Sequence, residues 1–274
     1  FEPGQFGNAV LVEEGTTNLL NNSLFSSKSY WQFGTNGGGS FIVSGNWGKI
    51  TKGTGTYDFV RQKLSRSGNS GDEYTLQFKF KNNVIGQAGI RVGCTEGGIS
   101  IGQTAKTITL DGAGGYIVVS LTHTVKAAYT EVYIDVLLGT FYGHNPPASF
   151  VEFSYAQLEA KSYATSFIDG TRAAETLTIP TEGVLNPQEG TIEFWVKPLI
   201  VTNYNNFFSM TTSNGRFLLY INNLGNARFD YGPDRSGPIT PAGTIEANNW
   251  YYIVLRWSAT TGKQALFVNG VKYE

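Results

Sequence analysis

The sequence predicts an all-β protein made of two antiparallel β-sandwiches in tandem. Apolar and polar residues alternate at period two along much of the chain, and turn residues interrupt this alternation about every 8–12 positions. The composition agrees, because 34 of the 274 residues are glycine and only 15% are charged, whereas exposed helices normally carry many Lys, Glu and Arg residues. We therefore expect short strands joined by tight turns, with almost no helix.

The first sandwich is predicted over residues 15–168, as a jelly roll of eight or more short strands. Three alternating rows are expected to point into its core: Tyr74, Leu76, Phe78 and Phe80; Val132, Ile134 and Val136; and Val151, Phe153 and Tyr155. Residues 18–22 and 34–39 are predicted loops, because Gly and Asn tolerate positive φ.

The second sandwich is predicted over residues 169–274. Its strands are expected at 175–180, 191–196, 207–209, 217–221 and 227–231, followed by an alternating row of Tyr251, Ile253, Leu255 and Trp257. Residues 265–273 are predicted to form a hairpin, since Asn269-Gly270 suits a type I′ turn. Because the sequence stops directly after this hairpin, we expect the second sandwich to be incomplete. Residues 1–14 are expected to be a linker or a strand of an upstream module.

Charge and cysteine content argue against several functional classes. Twenty basic and 21 acidic residues give a net charge of −1, and no basic stripe of the kind that binds nucleic acid is visible. No apolar run approaches the roughly 18 residues of a membrane span. A single cysteine, Cys94, and two histidines argue against a disulfide framework and against zinc sites.

Five segments carry a resemblance to known families. The segments GTTNLLNNSLFSS, GDEYTLQF and YAQLEAKSYATSFI resemble the jelly-roll carbohydrate-binding modules of polysaccharide-degrading enzymes and of bacteriophage tail and minor structural proteins. The segments GTIEFWVKP and NWYYIVLRWSATTGKQALFVNGV resemble the laminin-G or concanavalin-A-like sandwich. The resemblance implies a non-enzymatic protein on a virion surface or outside cells. Its implied partners are other virion proteins or copies of itself, and host surface polysaccharide.

Two alternatives remain open from the sequence. One is a carbohydrate-binding appendage of a secreted bacterial polysaccharide-degrading enzyme. The other is a glycan hydrolase, which needs two carboxylates about 5–10 Å apart, whereas the strand at 191–196 contributes only Glu193. Other catalytic groups are not supported either, because we expect His123 on a strand surface, His144 in a loop and Cys94 in the core without a nearby base.

Sugar binding calls for exposed aromatic faces and a few fixed polar groups. The candidate ligand-binding residues near Gly-rich loops of the first sandwich are Tyr30, Trp31, Trp47, Tyr57 and Arg61. A tryptophan in a sandwich also suits the core, so both interpretations of Trp31 and Trp47 stay open. In the second sandwich, the loops at 203–206 and 231–235 are further candidates.

Calcium is the one cofactor that the resemblance implies, because both families often hold a structural ion through carboxylate and carbonyl oxygens. The candidate ligands are Glu14, Asp72 and Glu159. No loop of the sequence shows a dense Asp/Asn pattern, so the sequence does not define a calcium loop.

Overall fold

The computed structural model describes residues 2–4, 7–180, 182–202, 204–212, 215–232 and 237–274. Within these residues the secondary structure consists of β-strands and one 3₁₀ turn, Thr140–Tyr142, which confirms the all-β class. No helix of the described residues is long and apolar enough to cross a membrane. Backbone contacts divide the chain into a first unit, Glu13–Glu175, and a second unit formed by Phe1–Val12 and Thr176–Glu274.

The first unit is an antiparallel sandwich of two five-stranded sheets. Its strands are β3 Thr16–Thr17, β4 Gln32–Thr35, β5 Ser40–Ser44, β6 Trp47–Thr51, β7 Asp58–Gly68, β8 Glu73–Lys81, β9 Ile85–Glu96, β10 Ile99–Asp111, β11 Tyr116–Thr124, β12 Tyr129–Leu138, β13 Phe150–Glu159 and β14 Thr171–Arg172. Sheet I has the order β10-β9-β12-β7-β4, and sheet II has the order β11-β8-β13-β6-β5. The short strands β3 and β14 pair with each other, near the two ends of the unit.

The core lies between the two sheets and is built by the alternating rows. The inward side chains of β8, namely Tyr74, Leu76, Phe78 and Phe80, are all buried in it. The row of β12 that contains Val132, Ile134 and Val136 packs against them from sheet I. Period-two alternation places each of these rows on one face of its strand, so the predicted core rows of both strands are confirmed.

The third predicted row, in β13, is interrupted by a β-bulge. Val151 and Phe153 are buried in the core, but Tyr155 is 37% exposed. The register with β8 shifts between Ser154 and Gln157, and Tyr155 has a φ of 52°. A bulge inserts an extra residue and turns the following side chains to the other face, so the expectation that Tyr155 points into the core is wrong.

The second unit contains two antiparallel sheets that share one apolar core. Its strands are β1 Glu2–Gly4, β2 Gly7–Ala9, β15 Glu189–Val196, β16 Asn205–Thr212, β17 Gly215–Ile221, β18 Ala227–Gly232, β19 Tyr251–Ser258, β20 Lys263–Val268 and β21 Val271–Tyr273. One sheet has the order β15-β19-β20-β21 and the other the order β16-β17-β18, while β1 pairs with β2. Core residues come from both larger sheets, for example Phe217 and Trp257 with ring centroids 4.7 Å apart.

Most predicted strands of the second unit are present, with one exception. Tyr251, Ile253, Leu255 and Trp257 of β19 are all buried, as their alternation predicts. The hairpin β20–β21 turns at Asn269 and Gly270, whose φ values of 48° and 84° are both positive, as a type I′ turn requires. The predicted strand at 175–180 is wrong, because that segment forms no strand.

Candidate functional site

The outer face of sheet I carries a cluster of polar and charged side chains, and β9 is one of the strands beneath this cluster. In the segment GIRVG, residues 89, 91 and 93 share this outer face, since alternate residues of a strand point the same way. Arg91 therefore stands between two glycines. A Cβ at Gly93 would lie 2.5 Å from the hydroxyl oxygen of Tyr133, so glycine is required there for the tyrosine ring to lie over the strand.

Two arginines on this face share one carboxylate. Asp135 of β12 is fully buried. Arg61 donates from Nε to its Oδ1 at 2.7 Å and from Nη2 to its Oδ2 at 3.0 Å, and Arg91 donates from Nε to its Oδ2 at 2.6 Å. All three are cross-strand neighbours, because Asp135 lies opposite Arg61 on one side and Arg91 on the other.

The ring of Tyr133 holds these guanidinium groups in place. The guanidinium carbon of Arg61 lies 4.3 Å from its centroid, and that of Arg91 lies 5.6 Å from it. The hydroxyl of Tyr133 donates to Oε1 of Gln103 at 2.8 Å, which connects the cluster to the edge strand β10. Stacking and bidentate pairing together fix the orientation of the guanidinium planes.

The segment that follows β12 forms a rim beside this cluster. The amide of Phe141 donates to the carbonyl oxygen of Thr56 at 3.0 Å. Gly139 has a φ of 125°, and a Cβ there would lie 2.2 Å from that same carbonyl oxygen. The segment also pairs with the start of β9, since the amide of Gln87 donates to the carbonyl oxygen of Pro146 at 2.8 Å. These contacts anchor the rim at both ends.

A cleft of about 270 Å³ opens between the rim and sheet I. Its side chains include Arg91, Gln103, Ala105, Leu137, Phe141, Tyr142 and His144. Phe141 is 69% exposed, and the rings of Phe141 and Tyr142 meet edge to face with centroids 5.2 Å apart. Burial raises the pKa of the Tyr142 hydroxyl to about 12, so the hydroxyl keeps its proton and acts as a neutral polar group at physiological pH.

His144 supplies a neutral imidazole at the wall of the cleft. The side chain is almost fully buried, and burial lowers its pKa to about 4. Its Nδ1 has no hydrogen-bond partner among the described residues. Buried polar atoms normally have a partner, so this nitrogen is a polar group that the described protein leaves unsatisfied next to the cleft.

The outer face of sheet II also carries aromatic rings, but lysine side chains lie over them. Trp47 and Tyr116 stack with centroids 5.5 Å apart and an interplanar angle of 17°. The ammonium nitrogen of Lys81 lies 4.7 Å from the Trp47 ring centroid. That of Lys79 lies 4.3 Å from the Tyr116 centroid and 4.9 Å from the Tyr155 centroid. These cation–π contacts occupy ring faces that a sugar would otherwise use.

Two of the five predicted ligand-binding residues contact the surroundings of the cleft, although neither belongs to its lining. Tyr57 contacts the rim, with ring centroids 5.7 Å from Phe141 and 6.5 Å from Tyr142. Arg61 belongs to the cluster around Asp135. The sequence alone does not show their partners on β12 and in the rim.

The other three predicted residues lie elsewhere. Trp47 belongs to the outer face of sheet II, and Tyr30 is 65% exposed in the segment before β4. Trp31 is only 6% exposed and stacks on Phe25 with centroids 4.4 Å apart. The expectation that Trp31 contacts a ligand is therefore corrected, because its ring is part of the core. Of the loop candidates in the second unit, position 203 and positions 233–236 lie outside the described residues.

The calcium candidates do not form a cation site. The carboxylate of Glu159 accepts hydrogen bonds from Thr16, Gln157 and Thr165. That of Asp72 accepts from the Asn69 amide and the Tyr129 hydroxyl.

Glu14 pairs with Lys161 at 2.9 Å and with the hydroxyl of Tyr163. Among the described residues, no group of three or more Asp, Glu, His or Cys side chains is arranged to hold a metal ion. These carboxylates already accept hydrogen bonds or ion pairs from protein donors and are not grouped together, so these residues do not fit the ion.

The residues weighed for catalysis have other surroundings. The carboxylate of Glu193 accepts from the hydroxyl of Tyr252 at 2.5 Å on an exposed part of β15. His123 is buried rather than on the surface, since it shares the inward face of β11 and its Nδ1 lies 2.9 Å from the hydroxyl of Thr104. Cys94 is buried, as expected, and burial raises its pKa to about 11, which disfavours the reactive thiolate.

Comparison with protein families gives a match for the C-terminal part of the chain. Residues 169–274 match a laminin-G family model described as the concanavalin A-like lectin/glucanases superfamily. This match agrees with the two-sheet architecture of the second unit. Comparison with curated proteins gave no match.

Three solved structures show the range of architectural likeness. The enzymatically active domain of tailspike protein 4 from bacteriophage CBA120 is 15% identical, with a TM-score of 0.40, over 52% of this chain and 21% of that one. The CBM22-1 xylan-binding domain of Paenibacillus barcinonensis Xyn10C is 12% identical, with a TM-score of 0.39, over 56% of this chain and 100% of that one. The adhesin domain of Epf from Streptococcus pyogenes is 8% identical, with a TM-score of 0.30, over 94% and 97%. The chain thus spans about one fifth of the tailspike chain.

Proposed function

We propose that this protein binds a glycan without cleaving it, and that the cleft on sheet I is the binding site. The observation that carries the proposal is the combination of an exposed aromatic ring, Phe141, with fixed polar groups on Arg91 and Gln103 around one cleft. Carbohydrate sites combine apolar ring faces with a few precisely held hydrogen-bonding groups. The match of residues 169–274 to the concanavalin A-like lectin/glucanases superfamily supports a function directed at carbohydrates.

Rigidity of the site supports binding over a purely structural role. Arg91 is fixed by Asp135, and Gln103 is fixed by the hydroxyl of Tyr133. Preorganised groups lose little conformational entropy when a ligand binds. By contrast, lysine ammonium groups already lie over the aromatic rings on the outer face of sheet II.

A glycan array tests the proposal with one blocking variant. Ala105 lies opposite Arg91 in the register of β9 and β10, so Ala105→Trp fills the cleft without entering the core. The matched control is Ser120→Trp, on the exposed face of β11 in sheet II. We expect wild type and Ser120→Trp to bind the same glycans and Ala105→Trp to lose them. Equal binding by all three proteins would exclude this cleft, and binding by none of them would exclude the function.

We further propose that the protein is displayed on a virion surface as part of a tail structure, where binding attaches it to a host polysaccharide. The order of the two modules in the sequence supports this, since their segments resemble phage structural proteins. The same segments support a carbohydrate-binding appendage of a secreted polysaccharide-degrading enzyme. Peptides of this chain in purified phage particles would favour the first role, and a catalytic domain in the same gene product would favour the second.

The non-catalytic part of the proposal has its own test. Incubation with each polysaccharide that binds on the array is expected to release no reducing ends above background. Sustained release that scales with protein concentration would replace this proposal with the glycan hydrolase alternative.

A further inference from the structure

We propose that the cleft on sheet I selects an acidic glycan, through a salt bridge between Arg91 and a sugar carboxylate such as that of a uronic acid. This inference rests on the proposed function, because it names the substrate class of the same site. The cluster around Asp135 carries the charge and the unpaired N–H donors that such a carboxylate would need.

The cluster has an excess positive charge that the described protein does not neutralise. Arg61 and Arg91 both pair with Asp135, so two guanidinium groups face a single carboxylate. The nearby Lys63 and Glu131 pair with each other at 3.0 Å and cancel. His144 contributes no charge at neutral pH, because burial keeps its pKa at about 4. The net charge of the cluster is therefore +1.

Arg91 and Lys106 are the cations among the residues that line the cleft, and Lys106 already donates from Nζ to the carbonyl oxygen of Ser120 at 3.1 Å. Arg91 has donors that no described residue uses. A guanidinium has five N–H donors. Nε and Nη2 of Arg91 bond to Asp135 at 2.6 and 2.5 Å, while Nη1 donates to no described residue. Arg91 lines the cleft, whereas Arg61 lies two strands away from Arg91, on β7, and is not part of the lining.

A carboxylate is the ligand group that best completes this arrangement. It neutralises the remaining charge and accepts charge-assisted hydrogen bonds, which are roughly twice as strong as neutral ones. The aromatic rim then covers the apolar side of the same sugar ring, because Phe141 stands beside Arg91 in the cleft.

Chemical reduction of the ligand tests the inference. The probes are polygalacturonate, alginate and hyaluronan, each compared with its carboxyl-reduced form by isothermal titration calorimetry at constant ionic strength. We expect wild-type protein to bind at least one acidic polymer, and reduction of its carboxyl groups to weaken binding at least tenfold. Arg91→Gln should produce a similar loss with the acidic polymer. Lys63→Gln removes the same charge from the same sheet face and should change the dissociation constant less than twofold.

The outcomes separate this inference from the proposed function. If acidic and reduced polymers bind equally, or if only neutral glycans bind in the cleft, glycan binding stands and acidic selection is wrong. If Lys63→Gln weakens binding as much as Arg91→Gln, the attraction is diffuse and the salt bridge to Arg91 is wrong. If no glycan binds in either form, both proposals fail. Should Arg91→Gln not fold, the comparison of polymers on wild-type protein still decides.

Discussion

The outer faces of sheets I and II use the same types of residue in opposite ways. On sheet II, Lys79 and Lys81 lie over the rings of Tyr116 and Trp47, so aromatic and cationic groups satisfy each other. On sheet I, the two arginines are held by Asp135, and the exposed ring of Phe141 stands free of them at the rim. The comparison shows that a count of surface aromatics does not locate a binding site. On sheet I, Arg61 and Arg91 lie over the ring of Tyr133, but among the described residues no cation lies over the exposed ring of Phe141.

The largest expected effect on stability comes from removing the carboxylate of Asp135, which holds the two arginines on sheet I. Asp135→Ala would leave two partly buried guanidinium groups without their partner, and breaking a buried ion pair costs about 3–5 kcal/mol. Urea denaturation of the two proteins measures the difference in free energy of unfolding. Glu131→Ala, four residues earlier on the same face of β12, is the control and should cost about 1 kcal/mol or less, because its pair with Lys63 is exposed. Equal losses would mean that Asp135 does not organise the face.

The pH dependence of stability tests the burial of His144. Its folded pKa of about 4 lies below the value of 6.5 for a free histidine, so between these values the unfolded chain binds the proton and the folded protein does not. Stability should therefore fall as the pH drops from about 6.5 to about 4, by roughly 3 kcal/mol for this residue.

The variant His144→Gln isolates this contribution. Burial also lowers the pKa of His123, so part of the pH dependence should remain in the variant. Denaturant titrations at pH 7 and pH 4.5 give the comparison. An unchanged pH dependence in His144→Gln would show that the histidine is not buried in its neutral form.

The smallest expected effect concerns the lysines of sheet II. Lys79→Gln removes one ammonium group from the rings of Tyr116 and Tyr155, and exposed cation–π contacts contribute about 0.5–1 kcal/mol each. We expect a loss of about 1 kcal/mol in thermal denaturation, with glycan binding unchanged. A gain of glycan binding in this variant would instead show that the lysine was masking a second aromatic site.

Local periodicity was sufficient to predict most strands of the second unit and most residues of the three core rows, because it depends only on neighbouring residues. The row from Tyr74 to Phe80 and the turn at Asn269-Gly270 are examples. The predicted inward direction of Tyr155 was wrong because a β-bulge shifts the alternation. The sequence around Tyr155 contains no pattern that predicts this bulge. His123 was misassigned for a related reason, since its neighbours are threonines, which are compatible with either face of a strand.

The candidate site was only half predictable from the sequence. Tyr57 and Arg61 could be named because they follow a Gly-rich loop, but Asp135 lies 74 residues after Arg61 along the chain. Only the pairing of β7, β12 and β9 brings these charges together. One local feature of the sequence also marks this face of β9. In the segment GIRVG, Arg91 is the sole side chain between two glycines on the outer face. These glycines allow other side chains to pack closely on the strand, since a Cβ at Gly89 would lie 2.9 Å from Nε2 of His144 and one at Gly93 would lie 2.5 Å from the hydroxyl oxygen of Tyr133.

The most direct test of the central claim compares two exposed rings, one on each face. Phe141 and Tyr116 are 69% and 59% exposed, so replacing either with alanine has a similar effect on the protein surface. Calorimetric titration with the glycan that binds wild type best is expected to show affinity at least tenfold weaker for Phe141→Ala, about 1.4 kcal/mol, and unchanged for Tyr116→Ala. The reverse result, with Tyr116→Ala losing affinity and Phe141→Ala keeping it, would place the site on sheet II and contradict the account.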